Sequence, residues 1–509
     1  MNSGRPVVPA VDTVRRTRNE GDEVPRRRAS RYAVAAPGTR HPAPGTRHPA
    51  PGARTGAATM GRSTSGDEGA MMTEFATRRR RLMSTMGRGA AAVLVSAHEV
   101  ARNGDVDYPF RQDSTFYYLT GFEEPDAVAV LRPGHHEPFV MFVRPHDPAQ
   151  AIWVGPRAGV DGASARFGAD LAFPIEELED RLPGLLSSAT TLYFPFGGSG
   201  DGGTSRVESL ISRVIARRRA AAPRGTAPLE AVRDPLPLVD AMRVVKSRAE
   251  VAALQRAIDA TGAGLQAAMR ATRPGLHEYE VQAILEAEYR LAGSPRDGFP
   301  TIAAAGEHSC TLHYTTNRAR IEDGDLLLLD TGAEVDYYGA DVTRTFPANG
   351  RFTPAQRDVY DIVFEAQAAG IARVRPGVTF HSVHDAALRV LVQGLIDLRI
   401  LRGEVEGNIE RETYRPYFMH GTSHWLGLDV HDAGVYRANG KSTTLVPGMV
   451  LTVEPGLYLS SDAPRVPKRL RGIGVRIEDD VLVTPSGRRN LSGAIPSRTG
   501  DLEAIVGQG

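Results

Sequence analysis

The 509-residue chain has a formal net charge of +1, one cysteine (Cys310), 41% hydrophobic and 24% charged residues. Its basic residues are spread along the chain rather than clustered in a motif, which argues against a nucleic-acid-binding protein. No apolar run approaches the roughly 18 residues that a membrane-spanning helix needs. A lone cysteine excludes an intramolecular disulfide framework and favours a reducing, cytoplasmic location, where we interpret Cys310 as a structural thiol rather than a nucleophile. The length exceeds one ordinary hydrophobic core, so we expect two domains and a further segment.

The first segment, residues 1–72, is rich in Pro, Gly, Ala and Arg and contains the repeat PGTRHPA. It has no hydrophobic periodicity and too few apolar residues to offset the entropy lost on folding, so we predict a disordered low-complexity tail. Met60, Met71 and Met72 leave open that translation starts after Met1. A functional basic tail is the other alternative.

Residues 73–240 predict a smaller N-terminal domain of α/β character. The segments AAAVLVSA, AVAVLRPG, PFVMFVRP and TLYFPFG are short apolar runs bounded by Gly and Pro. Such runs are typical of buried strands. A turn-rich stretch, RDPLPLVDAMR, then leads into the second domain, residues 241–509.

The second domain shows signs of an internal repeat. Ser247 with Glu250, and Thr353 with Gln356, have the spacing of helix capping boxes, and each predicted helix ends at an RPG triplet. A second helix and strands with acidic residues follow in both cases. This predicts a two-fold pseudo-repeat with a site between its halves, although RPG can also recur by chance in a chain rich in Pro and Arg.

Metal-competent side chains stand on or beside the apolar runs LLLLDTG, GADVTRTF, MHGTSHW, VLTVEPG and GVRIEDD. A buried carboxylate is so costly that it is paired, hydrogen-bonded or bound to metal. Four carboxylates with one imidazole suit two divalent cations; the set fits Mn²⁺ best, and Fe²⁺, Co²⁺ or Zn²⁺ could also occupy it. The predicted ligands are Asp330, Asp341, His424, Glu454 and Glu478.

Two patterns beside the predicted ligands each have more than one interpretation. His420 and His424 have the spacing of a helical zinc motif, but the glutamate of HExxH is absent and the residues between them are poor helix formers, which disfavours a zincin. Glu478 is predicted inside a strand with Arg476 on the same face. Arg476 then forms either a salt bridge with Glu478 or a contact that orients a metal ligand.

From about Met72 to Leu502 the chain resembles aminopeptidase P, the Xaa-Pro aminopeptidase of the creatinase/prolidase/methionine aminopeptidase superfamily. The resemblance implies an α+β protein whose C-terminal pita-bread fold has a pseudo-two-fold repeat and follows a smaller α/β N-terminal domain. It rests on the motifs HYTTN, LLLLDTGAEVDYYGADVTRTF, FMHGTSHWLGLDVHDAGVY, PGMVLTVEPGLY and RGIGVRIEDD, and on DYPFRQDSTFYYLTGFEEPDAVAVL in the first domain.

The resemblance also implies roles for the site residues. Asp330 would bind one metal, His424 and Glu454 the other, and Asp341 and Glu478 both. Glu454 would carry a proton to the leaving proline nitrogen. The remaining implied catalytic residues are His313, His420 and His431 around the substrate, with Tyr458 and Arg476 supporting the ligands. One departure is the loop VYRANGKSTTLVPG, where only Arg437 or Lys441 can replace an arginine of the bacterial members.

The implied function is metal-dependent release of the N-terminal residue from peptides with proline in second position. A prolidase, cleaving only Xaa-Pro dipeptides, is the nearest alternative. The long first domain disfavours a methionine aminopeptidase, and the complete ligand set disfavours a non-catalytic peptide-binding module. The resemblance further implies a cytoplasmic homo-oligomer, a tetramer or dimer without nucleic-acid or membrane partners, in which the first domain, with Trp153, covers a neighbour's active site.

Overall fold

The computed structural model describes residues 65–197, 205–222 and 229–509. The predicted tail therefore lies outside the described residues up to residue 64. Helix α1 (Ser65–Met86) begins before the predicted boundary at residue 72. Its later turns are held by the buried side chains of Phe75 and Leu82, and a helix that is anchored in this way extends at little further cost.

The N-terminal part is built on a six-stranded sheet with the strand order β6-β5-β4-β1-β7-β8. Strands β1, β7 and β8 run parallel, whereas β4 is antiparallel to both of its neighbours. The four apolar runs predicted as strands are β1, β4, β5 and β7. The strands are β1 (Ala90–Val95), β2 (Ala101–Asn103), β3 (Val106–Asp107), β4 (Val128–Leu131), β5 (Phe139–Val143), β6 (Leu171–Pro174), β7 (Thr191–Tyr193) and β8 (Ala231–Arg233).

Helices flank this sheet and connect it to the second part of the chain. Strands β2 and β3 form a separate exposed hairpin. The helices are α2 (Ser114–Thr120), α3 (Pro148–Val154), α4 (Gly159–Ala165), α5 (Leu178–Leu185), α6 (Arg206–Ala221) and the connecting helix α7 (Leu236–Arg243), with a 3₁₀ turn at Ile175–Glu177.

The second part begins with a long helix pair and a set of short strands. Strands β10, β11 and β14 form one sheet, and β13, β12 and β9 form another. The elements of this half are α8 (Arg248–Ala271), α9 (Glu278–Leu291), β9 (Arg296–Asp297), β10 (Ile302–Ala305), the 3₁₀ turn Gly306–Cys310, β11 (Leu326–Thr331), β12 (Ala333–Val335), β13 (Tyr338–Gly339) and β14 (Val342–Pro347).

The second half repeats the order of helix pair and strands. Strands β17, β20 and β21 form one sheet, and β18 pairs with β19. The elements are α10 (Pro354–Arg373), α11 (His381–Asp397), α12 (Val405–Glu410), β15 (Arg437–Ala438), β16 (Lys441–Ser442), β17 (Val450–Val453), β18 (Gly456–Leu459), the 3₁₀ turn Lys468–Leu470, β19 (Ile473–Arg476), β20 (Asp479–Thr484), β21 (Gly487–Asn490) and α13 (Thr499–Ile505).

Both predicted capping boxes are present. The Ser247 hydroxyl accepts the Glu250 N–H, and the Glu250 carboxylate accepts the Ser247 N–H. Thr353 and Gln356 make the same pair of bonds at the start of α10. These bonds satisfy backbone donors that the first helical turn leaves free, so the two long helices of the repeat begin where the sequence predicts.

One hydrophobic cluster joins the two halves, since it contains buried residues of α8 to α11 together with β11, β14, β18 and β19. A second cluster packs the N-terminal part against the loop that follows His424, through Phe116, Leu426 and Leu428. Among the helices of the described ranges, none is long and apolar enough to cross a membrane.

Candidate metal centre

Two aspartates approach each other within one short segment of the first half. Asp330 lies on β11 opposite Thr343 of β14, and Asp341 immediately precedes β14. Between them the chain passes so close to itself that a Cβ on Gly332 would lie 1.7 Å from the Ala340 carbonyl oxygen. The glycine therefore permits the close approach of the segments that carry the two carboxylates.

The second half supplies three further side chains. The His424 N–H donates to the Thr452 hydroxyl, 3.1 Å, and Glu454 directly follows β17. Glu478 does not lie inside a strand as predicted but between β19 and β20. The reason is a change of partner, since β19 pairs with β18 whereas β20 pairs with β17.

His424 lies close to three of the four carboxylates. Its Nδ1 contacts the Trp425 carbonyl oxygen at 3.0 Å and so carries the proton, which leaves the Nε2 lone pair free for a metal. Nε2 is 3.3 Å from Asp341 Oδ2, 3.7 Å from Glu454 Oε1 and 4.0 Å from Glu478 Oε1. Ligands that each lie about 2.0–2.2 Å from one ion have separations of this order.

The electrostatics of the group favour a bound cation. Asp330 Oδ1 and Glu478 Oε1 are buried without a hydrogen-bond partner among the described residues. Burial, together with neighbouring carboxylates, raises the pKa of Asp341 and of Glu478 well above the ordinary value. Burial likewise raises the pKa of Glu454 to about 7. Buried acidic oxygens without partners are costly, and an oxygen-rich set of this kind fits a divalent metal ion.

Behind the carboxylates lies a hydrogen-bonded chain of side chains. Arg476 donates from Nη2 to Asp330 Oδ2, 2.5 Å, and from Nη1 to the Tyr458 hydroxyl, 3.0 Å. The Tyr458 hydroxyl is also 2.8 Å from His420 Nε2. Arg476 therefore contacts Asp330 rather than forming a simple salt bridge with Glu478.

The protonation states in this chain follow from burial. Burial raises the pKa of Tyr458 to about 12 and lowers the pKa of His420 to about 4, so both side chains are neutral near pH 7. His420 Nδ1 lies 2.7 Å from the Gly421 carbonyl oxygen and donates to it. Its Nε2 then accepts the Tyr458 hydroxyl proton, which fixes the orientation of the imidazole.

A cavity of about 490 Å³ opens over this group. The rings of His424 and His431 are 4.3 Å apart, and His313 is exposed. Every predicted site residue borders the cavity except Tyr458, which is buried behind His420. The wall is completed by Phe299, Pro300, Ile302, Leu312, Thr315, Gly421, Ser423 and Val430.

Comparisons with known proteins identify the family of the chain. Residues 252–485 match the model of metallopeptidase family M24, and residues 75–193 match the aminopeptidase P N-terminal domain. The Xaa-Pro aminopeptidase of Escherichia coli (strain K12) is 41% identical over 436 residues, which is 85% of this chain and 97% of that protein. The chain belongs to metallopeptidase family M24.

Solved structures of this M24 group superpose over nearly their whole length. The aminopeptidase PepP of Pseudomonas aeruginosa has a TM-score of 0.82 and 42% identity, covering 85% of this chain and 97% of that one. Zinc-substituted E. coli aminopeptidase P in complex with product has a TM-score of 0.81 and 41% identity, covering 85% and 98%. The predicted α+β fold, with a pita-bread domain after a smaller N-terminal domain, is confirmed, and the M24 chain is a metal-dependent hydrolase.

Sequence reasoning missed several contacts of this M24 site. The Thr343 hydroxyl donates to Glu478 Oε2, 2.7 Å, and Asp480 Oδ2 accepts the Asp341 N–H, 3.2 Å. Thr343 stands directly opposite Asp330 in the pairing of β14 with β11, so the two side chains share one face of the sheet. The position of Asp480 depends on the pairing of β20, which the sequence pattern does not reveal.

Other residues singled out by sequence lie away from the M24 site. Arg437 and Lys441 are on the exposed β15–β16 hairpin, and neither borders the cavity described above. Burial raises the pKa of the Cys310 thiol to about 12, which makes it a poor nucleophile near neutral pH. Trp153 is 84% exposed on α3.

Proposed function

We propose that this enzyme releases the N-terminal residue from peptides in which proline is the second residue. The observation that carries the proposal is the complete set of four carboxylates and one histidine beneath a single cavity. It occurs in a chain that aligns with 97% of an E. coli protein named Xaa-Pro aminopeptidase. A non-catalytic module has no need of so many buried acidic groups.

We further propose that the site holds two divalent ions, with Mn²⁺ as the native metal. Asp330 would hold one ion, His424 and Glu454 the other, and Asp341 and Glu478 would contact both. The buried oxygens of Asp330 and Glu478 that lack hydrogen bonds support this assignment. When bound, such ions polarise the scissile carbonyl and lower the pKa of a water molecule.

The chain's own residues would handle the proton and the substrate. Glu454 faces the cavity, with Oε1 3.7 Å from His424 Nε2 and Oε2 3.6 Å from His420 Nδ1. This position suits a carboxylate that takes a proton from the attacking water and delivers it to the leaving proline nitrogen. His431 and His313 line the same cavity and would donate hydrogen bonds to the oxygen that becomes negative in the transition state.

Neutral His420 would form part of the wall against the substrate. The Tyr458 hydroxyl and the Gly421 carbonyl oxygen hold its ring. Arg476 links this wall to Asp330, so its role is to orient both groups rather than to touch the reacting atoms.

The length of the peptides that are cleaved distinguishes an Xaa-Pro aminopeptidase from a prolidase. The purified enzyme should cleave Xaa-Pro-Xaa tripeptides and longer peptides, and should leave Xaa-Ala-Xaa tripeptides nearly intact, as followed by mass spectrometry. Cleavage confined to Xaa-Pro dipeptides would identify a prolidase instead. The matched relatives carry the name Xaa-Pro aminopeptidase, which favours the first outcome.

We also propose a cytoplasmic homo-oligomer, either a tetramer or a dimer. Support comes from apolar side chains that α3 leaves in solvent, since Ile152 is 83%, Trp153 84% and Val154 59% exposed. Such a patch is typical of an interface with another protein surface. Sedimentation analysis should find an assembly that Trp153→Ala weakens, whereas a monomeric wild-type protein would contradict the proposal.

A further inference from the structure

The loop that carries His431 is held by a buried ion cluster whose basic residues lie outside the M24 family match. Asp432 directly follows His431 and is 5% exposed. Its Oδ2 accepts a hydrogen bond from Lys246 Nζ, 2.8 Å, and its Oδ1 accepts one from Arg243 Nη2, 2.5 Å. Both basic residues precede residue 252, where the M24 match begins, and belong to the end of α7 and the linker after it.

The other flank of the loop is held by the N-terminal part. Ser114 donates from Oγ to Asp429 Oδ1, 2.5 Å, and Arg243 donates to Asp429 Oδ2, 2.7 Å. Arg111 donates from Nη2 to the Leu428 carbonyl oxygen, 2.6 Å. His431 therefore lies in a loop that is fixed on both sides by residues of the first domain and the linker.

The turn around Asp432 is closely packed. The Asp432 N–H donates to the Trp425 carbonyl oxygen, 2.9 Å, which closes the loop. A Cβ on Gly427 would lie 2.2 Å from Asp432 Oδ2 and 3.1 Å from Lys246 Cε. The Asp432 carboxylate thus sits inside its own turn with the Lys246 ammonium, and little room remains for the loop to shift.

The basic residue beside Asp432 Oδ2 is a lysine, a residue type that is rare in this chain. Only three of the 61 basic residues in the chain are lysines, namely Lys246, Lys441 and Lys468. The other two are exposed, whereas the Lys246 side chain is 1% exposed. A compact ammonium fits beside one carboxylate oxygen, while a guanidinium would bring five donors that need partners in the same space.

Stability alone does not account for such a cluster. Burying charges costs so much solvation energy that a buried ion pair is often no more stable than apolar residues of the same size. A buried ionic contact does, however, favour one geometry strongly, because any displacement leaves a charge without its partner. The ring of His431, next in the chain, lies 4.3 Å from that of His424 at the edge of the metal cavity.

We infer that Asp432 is a positioning residue, held by Lys246 and Arg243, that fixes His431 over the metal cavity. The linker and the N-terminal domain thereby set the turnover rate of a site to which they contribute no ligand. The inference rests on the role proposed above for His431. Asp432 itself is enclosed in its turn and acts through the residue before it.

The test uses the double variant Lys246→Met/Asp432→Asn. It removes one charge of each sign and leaves Arg243 paired with Asp429, so no buried charge is left alone. Metal content should match that of the wild type, while kcat should fall about tenfold to a hundredfold, as a displacement near 1 Å can cause. KM should change by less than about threefold, since the ligands that hold the ground state are untouched.

A cycle with His431→Ala distinguishes positioning from a general structural effect. If Asp432 acts through His431, adding Lys246→Met/Asp432→Asn to His431→Ala should lower kcat by less than about twofold, because the group that it positions is already gone. The control is Arg469→Met/Asp358→Asn, which removes an exposed pair of the same charges, 3.2 Å apart, and should leave kcat unchanged.

A milder variant keeps the inference testable if the double variant folds poorly. Ser114→Ala removes one hydrogen bond to Asp429 from the opposite flank, and it should lower kcat about threefold to tenfold in the wild type but not in His431→Ala. If His431→Ala itself turns over at the wild-type rate, the proposed role of His431 is wrong. Our inference is wrong, and the proposed function stands, if His431→Ala is slow but the variants of the cluster keep the wild-type kcat. It is also wrong if these variants lower the kcat of His431→Ala by the same factor as they lower that of the wild type.

Discussion

Asp341 is buried among other acidic groups, and burial with its neighbours raises its pKa well above the ordinary value. In chelator, Asp341→Asn should therefore unfold about 2–4 °C higher than the wild type, since it removes an acidic group that costs free energy on folding whether it stays ionised or takes up a proton. Added Mn²⁺ should raise the thermal midpoint of the wild type and leave that of the variant almost unchanged.

Calorimetry with and without Mn²⁺, beside metal analysis of the purified proteins, measures both effects. Asp358→Asn makes the same chemical change at an exposed position of α10 and is the matched control. An Asp341→Asn protein that binds metal at the wild-type ratio and gains the same stability from Mn²⁺ would exclude Asp341 as a ligand.

The charge of Asp432 predicts a pH dependence of stability. Burial alone would raise its pKa, but Lys246 and Arg243 lower it below the ordinary value. The unfolded pKa is about 3.9, so this stabilisation is fully present above about pH 4 and is lost as pH falls through the lower folded pKa. The difference in thermal midpoint between wild type and Lys246→Met/Asp432→Asn should therefore decrease below about pH 4. A difference in thermal midpoint that stays constant from pH 6 to pH 3 would show that Lys246 and Arg243 do not lower the pKa of Asp432.

At the level of elements, the segment between Asp330 and Asp341 depends on one close approach. A Cβ on Gly332 would lie 1.7 Å from the Ala340 carbonyl oxygen, whereas a Cβ on Gly339 would meet no heavy atom within 4 Å. Gly332→Ala should therefore force the two segments apart, destabilise the fold by about 1–3 kcal/mol and reduce metal binding. Gly339→Ala, in the same segment, should do neither. Denaturant unfolding and metal analysis of both variants test this, and equal behaviour of the two would refute it.

The elements that sequence predicted well are those whose signals are local. The capping box of Ser247 and the apolar run around Asp330 depend on neighbouring residues, and both lie where they were expected. Glu478 was placed wrongly because its chain changes strand partner at that point, which is a tertiary event. The bond from Arg476 to Asp330 joins residues 146 positions apart, and no local pattern contains it.

For the whole molecule, the sequence predicts that the tail contributes nothing to folding or turnover. Ordering it would cost about 1–2 kcal/mol per residue with little apolar surface to bury. A chain that begins at Met72 should match the full chain in thermal midpoint, assembly and kcat. A chain that begins at Ser65, where α1 starts, is the control. A loss of several degrees in both shortened chains would mean that the tail contacts the folded body, and a loss in the Met72 chain alone would assign the effect to the first turns of α1.

We propose that this M24 chain uses divalent metal at Asp330, Asp341, His424, Glu454 and Glu478 to cleave before proline. The most direct measurement is a titration of fully chelated enzyme with Mn²⁺, recording the rate of Xaa-Pro-Xaa hydrolysis and the bound metal in the same samples. We expect no measurable rate without metal and a rate that rises until about two ions are bound per chain. Full activity in protein that metal analysis shows to be free of metal would contradict the claim.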